Sequence, residues 1–376
     1  MKLRVERDVL AESVAWAART LPTRPSLPVL AGLVLTASDD GLTLSSFDYE
    51  VSGRVEISAD VSTPGTTLVS GRLLADIARS LPGAPVTIES EGTRISITCG
   101  RSSFTLPTLP VEDYPQLPVM PTASGTVSGS AFAAAVAQVA IAAGRDDTLP
   151  TLTGIRMEIE GAGIVLAATD RYRLAVREFT WNPEAPSMSA HALVPARTLA
   201  DTAKSLADVD EVVIALSSGG AGEGLIGFEG HGRRTTTRLL DGEFPKYRSL
   251  LPSESAAVAD VETASLIDAV KRVALVAERN TPVRLAFEGS ELTLRAGAGD
   301  DAQAVEVLES SLEGDAIDIA FNPAYLLDGL AAVGAATTRF SFTQPTRPAV
   351  LTGLDTDSRQ SLDDYKYLLM PVRLTG

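Results

Sequence analysis

The sequence predicts an α+β protein built from three similar domains. Three observations carry that prediction: a helix-forming segment recurs at a spacing of about 125 residues, the segments around it recur in the same order, and strand-like alternation fills the intervals. The recurring segment reads LVSGRLLADIARSLP at 68–82, LVPARTLADTAKSLA at 193–207 and, more faintly, IAFNPAYLLDGLAAV at 319–333. Solenoid units run about 20 to 50 residues, so a spacing this long makes each copy a small domain.

Each copy opens with an amphipathic helix, in VERDVLAESVAWAARTLP (5–22), VSGSAFAAAVAQVAIAAG (127–144) and VETASLIDAVKRVALVAE (261–278). Large apolar residues recur there at helical spacing: Leu10, Val14 and Ala17; Phe132, Val136 and Val139; Leu266, Val270 and Val273. A hairpin follows, where a turn signal precedes alternating apolar residues at 39–56, 161–178 and 288–309. The recurring segment supplies the second helix, and further alternating strands close the copy. Helices are thus expected over 8–21, 71–81, 130–145, 196–207, 264–279 and 322–333, packed on sheet. Proline-rich turns, DYPQLPVMP at 113–121 and EFPKYRSLLP at 243–252, divide the chain into domains at 1–123, 124–252 and 253–376. Domains of this length support independent cores.

Composition narrows the chemistry. No apolar run is long enough to span a bilayer and the N-terminus reads as an amphipathic helix, so a cytoplasmic protein with no membrane partner is expected. Cys99, the only cysteine, has no intrachain partner and alternation places it in a strand, where a free thiol packs as a small apolar group. His191 and His231 stand in neither a metal-ligand spacing nor a nucleophile motif. SSGGAGEG (217–224) lacks the Lys-Ser/Thr of a phosphate loop and reads as a hairpin turn. No catalytic residue, metal or cofactor is assigned. A hydrolase on repeated α+β domains remains the alternative, because paired carboxylates leave weak signatures among 48 acidic residues.

The formal net charge of −16 argues against a conventional nucleic-acid binder. Its distribution is more informative: the six helical segments carry a net +2, which leaves −18 for the remainder. Arg72, Arg79, Arg197, Lys204, Lys271, Arg272 and Arg279, with Arg24 in an adjoining loop, supply most of the positive charge. Helices sharing one surface would make it mildly positive on a negative body, able to attract phosphates without reading sequence. Ordinary solvated helix faces would give the same small sum.

Several motifs, in order and along the full length, resemble the beta subunit sliding clamp of bacterial DNA polymerase III, most of all its actinobacterial members: MKLRVERDVL, RPSLPVL (24–30), ATDRYRLAV (168–176), EFPKYRSLLP and YLLMPVRL (367–374). The resemblance implies a head-to-tail homodimer, a six-domain ring with helices lining the hole and sheets outside. Duplex DNA would thread it without sequence specificity, and replicative and repair polymerases and a clamp loader would bind it. Arg145 joins the expected DNA-facing residues. At the dimer contact the resemblance implies Phe104, with Arg101 and Arg72, against Leu275 and Val276, with Asp300, Asp301 and Glu306 facing the arginines.

The same resemblance implies a peptide-binding pocket that accepts a short motif rich in glutamine and apolar residues. Its one side would be Leu152, Thr169, Arg171, Tyr172, Arg173, Leu174, Pro245 and Leu250, and its C-terminal side Leu368, Met370, Pro371, Val372 and Arg373. Leu, Met, Pro and Val offer an adaptable apolar cleft, and arginines and backbone groups orient the guest. Ser249 stands where many family members carry arginine. A second clamp copy conferring resistance to a clamp-directed peptide inhibitor is the alternative within the family.

Overall fold

The computed structural model describes residues 1–217, 224–277, 281–297 and 302–373. Among these residues six α-helices alternate with strands: α1 (Arg7–Ala17), α2 (Gly71–Ser80), α3 (Gly129–Ala140), α4 (Ala196–Ser205), α5 (Thr263–Val273) and α6 (Pro323–Val333). The order is the same in each copy: one strand, a helix, a run of antiparallel strands, a second helix, three closing strands.

The apolar stripes read from sequence are the buried faces. Leu10, Val14 and Ala17 of α1, Phe132, Val136 and Val139 of α3, and Leu266, Val270 and Val273 of α5 are all buried. At the C-terminal ends three expected helices stop short. α1 and α5 tighten into 3-10 turns at Ala18–Thr20 and Ala274–Val276. Beyond α3 the Ala142 and Ala143 N–H groups reach back three residues, to Val139 and Ala140, before Gly144 donates to the Leu152 carbonyl. Short-range bonds of this kind satisfy the last carbonyls of a helix. α6 is the most explicitly bounded helix. Asn322 Oδ1 accepts from Ala324 and Tyr325 N–H at 2.9 and 3.2 Å, Pro323 opens the first turn, and Gly334 closes it at φ 68°.

The chain forms two compact units, Met1–Gly129 with Asp208–Leu239, and Ser130–Ala207 with Leu240–Gly376. These do not follow the sequence repeat, because strands pair across repeat boundaries. In the first unit one sheet passes through 125–127, 212–216, 225–230, 233–238, 51–57, 41–47, 32–38, 65–70, 102–109, 94–99, 86–91, 2–5 and 60–63, so the second repeat's closing strands continue the first repeat's sheet. Leu3, Val14, Leu35, Leu74, Ile88 and Ile97 belong to the core beneath it, and Cys99 is buried with its thiol directed at the Pro82 and Ala84 carbonyls. In the second unit a sheet runs 189–195, 154–160, 163–169, 173–180, 361–369, 349–354, 337–342, 257–262 and 311–313. A separate four-stranded sheet runs 304–309, 291–296, 283–288, 317–321. α6 lies so close to the strand 361–369 that a Cβ on Gly329 would meet the Tyr367 ring at 2.3 Å.

Several strands have an unpaired side among the described residues, and two of them lie where the dimer contact is expected. Strand 102–109 pairs with 94–99 along its length but with 65–70 only at Thr108 and Leu109. Strand 304–309 ends its four-stranded sheet, and it turns Val305 and Val307 outward at 63% and 53% exposure.

Candidate functional site

The segment ATDRYRLAV forms a hairpin corner between strands 163–169 and 173–180. Asp170 shapes it: its Oδ1 accepts from the N–H groups of Tyr172 and Arg173 at 3.0 and 3.1 Å, and Thr169 Oγ1 donates to the Arg173 carbonyl at 2.7 Å. Arg171, held at φ 79°, takes the left-handed conformation that costs a non-glycine residue about 1 kcal/mol. The corner thereby turns Arg171 and Tyr172 outward, both exposed, and Arg173 inward.

Strand 173–180 then pairs with 361–369, placing Arg173 opposite Leu369 and Leu174 opposite Leu368. Proline at 371 ends the strand's continuity. Met370 leaves the ladder with its N–H donated to the Tyr172 carbonyl at 2.9 Å, and its side chain stays 40% exposed.

The corner and α6 enclose a cleft of about 650 Å³. Leu149 and Leu152 line it on one side, Tyr172 and Tyr325 contribute aromatic rings stacked 6.3 Å apart, and Arg145, Asp146, Arg171 and Asp328 add charge. Arg173 is at its floor. The guanidinium donates to Asp170 Oδ2 at 2.9 Å and to Asp328 Oδ2 at 2.6 Å, and lies 4.3 Å from the centre of the Tyr325 ring. Burial alone would disfavour its charge, but the hydrogen bond to Asp328 and the contacts to Tyr367 and Asp170 outweigh it and raise its pKa above the ordinary value.

Next to this cleft, on the other face of the strand pair, lies an apolar row. Leu174 and Leu368 pack with Ala167, Val176, Val350 and Tyr247, bordered by Phe244 and Leu251. The segment 243–252 is pinned over the sheet by Glu158, which accepts from the Tyr247 hydroxyl at 3.1 Å and pairs with Arg248 at 2.6 Å. Pro245 and Leu250 are exposed on that segment, and Ser249 donates to the Lys246 carbonyl.

The structure therefore divides the expected pocket residues. Leu152, Arg171, Tyr172 and Arg173 share the cleft, whereas Thr169 locks the corner from a buried position. Leu174 and Leu368 are core residues here, and the Arg173 guanidinium is occupied by two carboxylates and is not free to orient a guest. Met370, Leu250, Pro245, Val372 and Arg373 stand exposed, and Pro371 is half-buried. Arg145, expected to face DNA, lines the cleft. Tyr325, Asp328, Leu149 and Tyr247 were not anticipated. Asp328 left a trace in the repeat: the sixth residue after the N-cap is aspartate in α2, α4 and α6, namely Asp76, Asp201 and Asp328.

The expected interface and DNA residues are placed as follows. Arg24, Arg72 and Arg79 of the first unit, and Arg197, Lys204 and Lys271 of the second, are all exposed. Phe104 is half-buried against its own domain's core, and Arg101 is exposed beside it. Leu275, 83% exposed, projects after α5 with Val276 next to it. Glu306, expected to face an arginine of another copy, has a partner within its own chain. It pairs with Arg272 of α5, which thereby loses its standing as a free cation. Alternation explains the pairing: Val305 and Val307 point away from α5, so Glu306 between them points toward it. Arg279, Asp300 and Asp301 lie outside the described residues.

Open antiparallel sheets accompanied by two helices in each of three repeats define a DNA clamp fold. Residues 1–118, 126–246 and 248–373 match the N-terminal, central and C-terminal domains of the DNA polymerase III beta subunit. The beta sliding clamp of Streptomyces coelicolor is 64% identical over 376 residues, 100% of each chain, and the beta sliding clamp homolog GriR of Streptomyces muensis is 49% identical over 373 residues, 99% of each. The DNA polymerase sliding clamp of Bacillus subtilis superposes with a TM-score of 0.91 at 27% identity, covering 100% of this chain and 99% of that one. A Pseudomonas aeruginosa sliding clamp bound to griselimycin superposes with a TM-score of 0.91 at 28% identity, covering 100% of both. The chain belongs to the DNA polymerase III beta subunit family and functions as a beta sliding clamp in DNA replication.

Proposed function

We propose that two copies close head to tail into a ring around duplex DNA, and that this ring, without catalysis of its own, tethers the polymerase. The observation that carries the reading is two unsatisfied strand edges, 102–107 in the first repeat and 304–309 in the third. Exposed strand edges invite pairing, and an edge bearing Val305 and Val307 with Leu275 close in sequence to the adjoining helix has few of the charges that discourage it. Two identical heterologous contacts between these two different edges close a twofold ring and satisfy both edges at once. In that ring the domains run 1–123, 124–252 and 253–376, with helices toward the DNA and sheets outside.

A net +2 on the helical segments against −18 elsewhere suits a lining that tolerates phosphates without gripping them. The cleft at the hairpin corner, together with Met370 and Leu250, would take short glutamine-containing apolar peptides from polymerases, the clamp loader and repair proteins. Work on chromosomal DNA implies a cytoplasmic site of action, and among the described residues no helix is long and apolar enough to cross a membrane. The 64% identity to a Streptomyces clamp, against 49% to GriR, favours the replicative role over a resistance copy.

Loading onto nicked circular DNA tests the ring. Protein retained on circles should be released when the circle is cut, and equal retention on linear DNA would overturn the topological reading.

A further inference from the structure

The hairpin corner at the cleft has a twin in the first repeat, and the difference between the two isolates the role of one arginine. In the first repeat Asp48 Oδ1 accepts from Glu50 and Val51 N–H at 3.0 and 2.7 Å, with Tyr49 at φ 77°. Asp170 does the same for Tyr172 and Arg173, with Arg171 at φ 79°. Even the outer link recurs: Arg238 N–H donates to the Glu50 carbonyl at 2.9 Å, as Met370 N–H does to Tyr172. Val51 occupies the position of Arg173, so the corner forms without an arginine there.

Arg173 has a different task. Its side chain is the ion-pair link from the corner, which carries Tyr172, to α6, which carries Tyr325. Those two rings stack 6.3 Å apart and both line the cleft. Arg173 is 5% exposed, and a buried guanidinium that loses one of its carboxylates must move or find another partner.

We propose that Asp328 is a positioning residue of the cleft: acting through Arg173, it fixes the spacing of the Tyr172 and Tyr325 walls and thereby sets the affinity for a docked peptide. This rests on the peptide-docking reading above, and it assigns Asp328 no contact with the peptide.

The test uses the full-length chain and a fluorescein-labelled pentapeptide containing one glutamine, two leucines and a phenylalanine, read by anisotropy. Asp328→Asn keeps the shape and removes the charge that holds Arg173. The Kd should rise about tenfold, equivalent to about 1.4 kcal/mol, with an unchanged sedimentation coefficient and partial recovery in Asp328→Glu. Arg173→Met should raise the Kd as much, and adding Asp328→Asn to it should change little, since coupled residues are non-additive. A lowered Tm with an unchanged Kd in Asp328→Asn would reduce the residue to a structural role and overturn the proposal. Should Asp328→Asn not fold, Arg173→Lys keeps the charge but cannot span both carboxylates with a rigid fork; a Kd unchanged there overturns the proposal equally. Met370→Asp separates the two readings. If it abolishes binding while Asp328→Asn does not alter it, docking stands and the positioning role falls; if it leaves binding intact, the docking reading fails and takes the proposal with it.

Discussion

Leu174 and Leu368 stand directly opposite each other across the strand pair that joins the second repeat to the third, at 1% and 3% exposure. Val350 continues the row on the next strand, and Tyr247 covers it. A guest can reach this row only after something above it moves, and Met370, just beyond Leu368, and Leu250, just beyond Tyr247, are exposed apolar side chains close to it in sequence.

Burial separates the consequences of mutation. Leu174→Ala or Leu368→Ala should cost about 2–5 kcal/mol of stability in denaturant unfolding, because each leaves a cavity in close-packed surroundings. Met370→Ala and Leu250→Ala should stay within about 0.5 kcal/mol of the parent protein, as exposed substitutions do, while lowering peptide affinity. Equal destabilisation by all four would show that the row has no exposed rim to serve as a gate.

The edge strand 304–309 gives a second separable prediction. Lysine at Val305 and Val307 together should convert the protein to monomers in sedimentation velocity at low micromolar concentration, with far-ultraviolet dichroism unchanged. Charges on an edge oppose pairing without disturbing the strand's own ladder. Leu275→Asp should act in the same direction. An intact dimer in both variants would place the contact elsewhere.

The alternation of apolar residues made the repeat, the helix positions and the hairpin corners legible, because helical and strand periodicities are local properties. The corner at 169–173 was visible as a motif, and its tie to α6 was not. Arg173 and Asp328 are 155 residues apart in sequence, and their meeting depends on strand 361–369 closing the sheet beside 173–180. Sequence likewise could not decide between exposed and buried roles for Leu174 and Leu368, since an apolar residue on a strand fits either until the covering segment 243–252 is known. The intrachain partner of Glu306 was hidden for the same reason: strand parity points the carboxylate at Arg272, a neighbour supplied by packing and not by proximity in the chain.

That pairing changes what the basic residues should do on DNA. Arg272 is engaged by Glu306, whereas Arg197 and Lys204 are exposed without an ion pair shown among the described residues. Removing Arg197 and Lys204 together should flatten the dependence of log K on log salt by up to about 2, at about 0.9 per phosphate contact. Arg272→Ala should change the slope much less. Titrating binding to short duplexes between low and moderate salt checks both, and a larger effect from Arg272 would mean that the ion pair opens on DNA.

Tyr114 supplies a prediction about pH. Its hydroxyl accepts the Phe47 N–H at 2.7 Å, anchoring the stretch after the first domain's last strand to the strand 41–47. Burial pushes its pKa up to about 12, the Phe47 hydrogen bond pulls against this, and Asp48 adds to it. The folded protein therefore holds the phenol proton more tightly than the unfolded chain, in which tyrosine titrates near 10. The associated stability is fully present below pH 10, and it is lost as pH rises from about 10 to about 12, amounting to about 3 kcal/mol. Urea midpoints measured across that interval should fall for the parent protein and fall less steeply for Tyr114→Phe, which has no proton to lose. Phenolate absorbance should show one fewer late-titrating group in the variant; identical midpoint slopes in the two proteins would mean that Tyr114 ionises without cost to the fold.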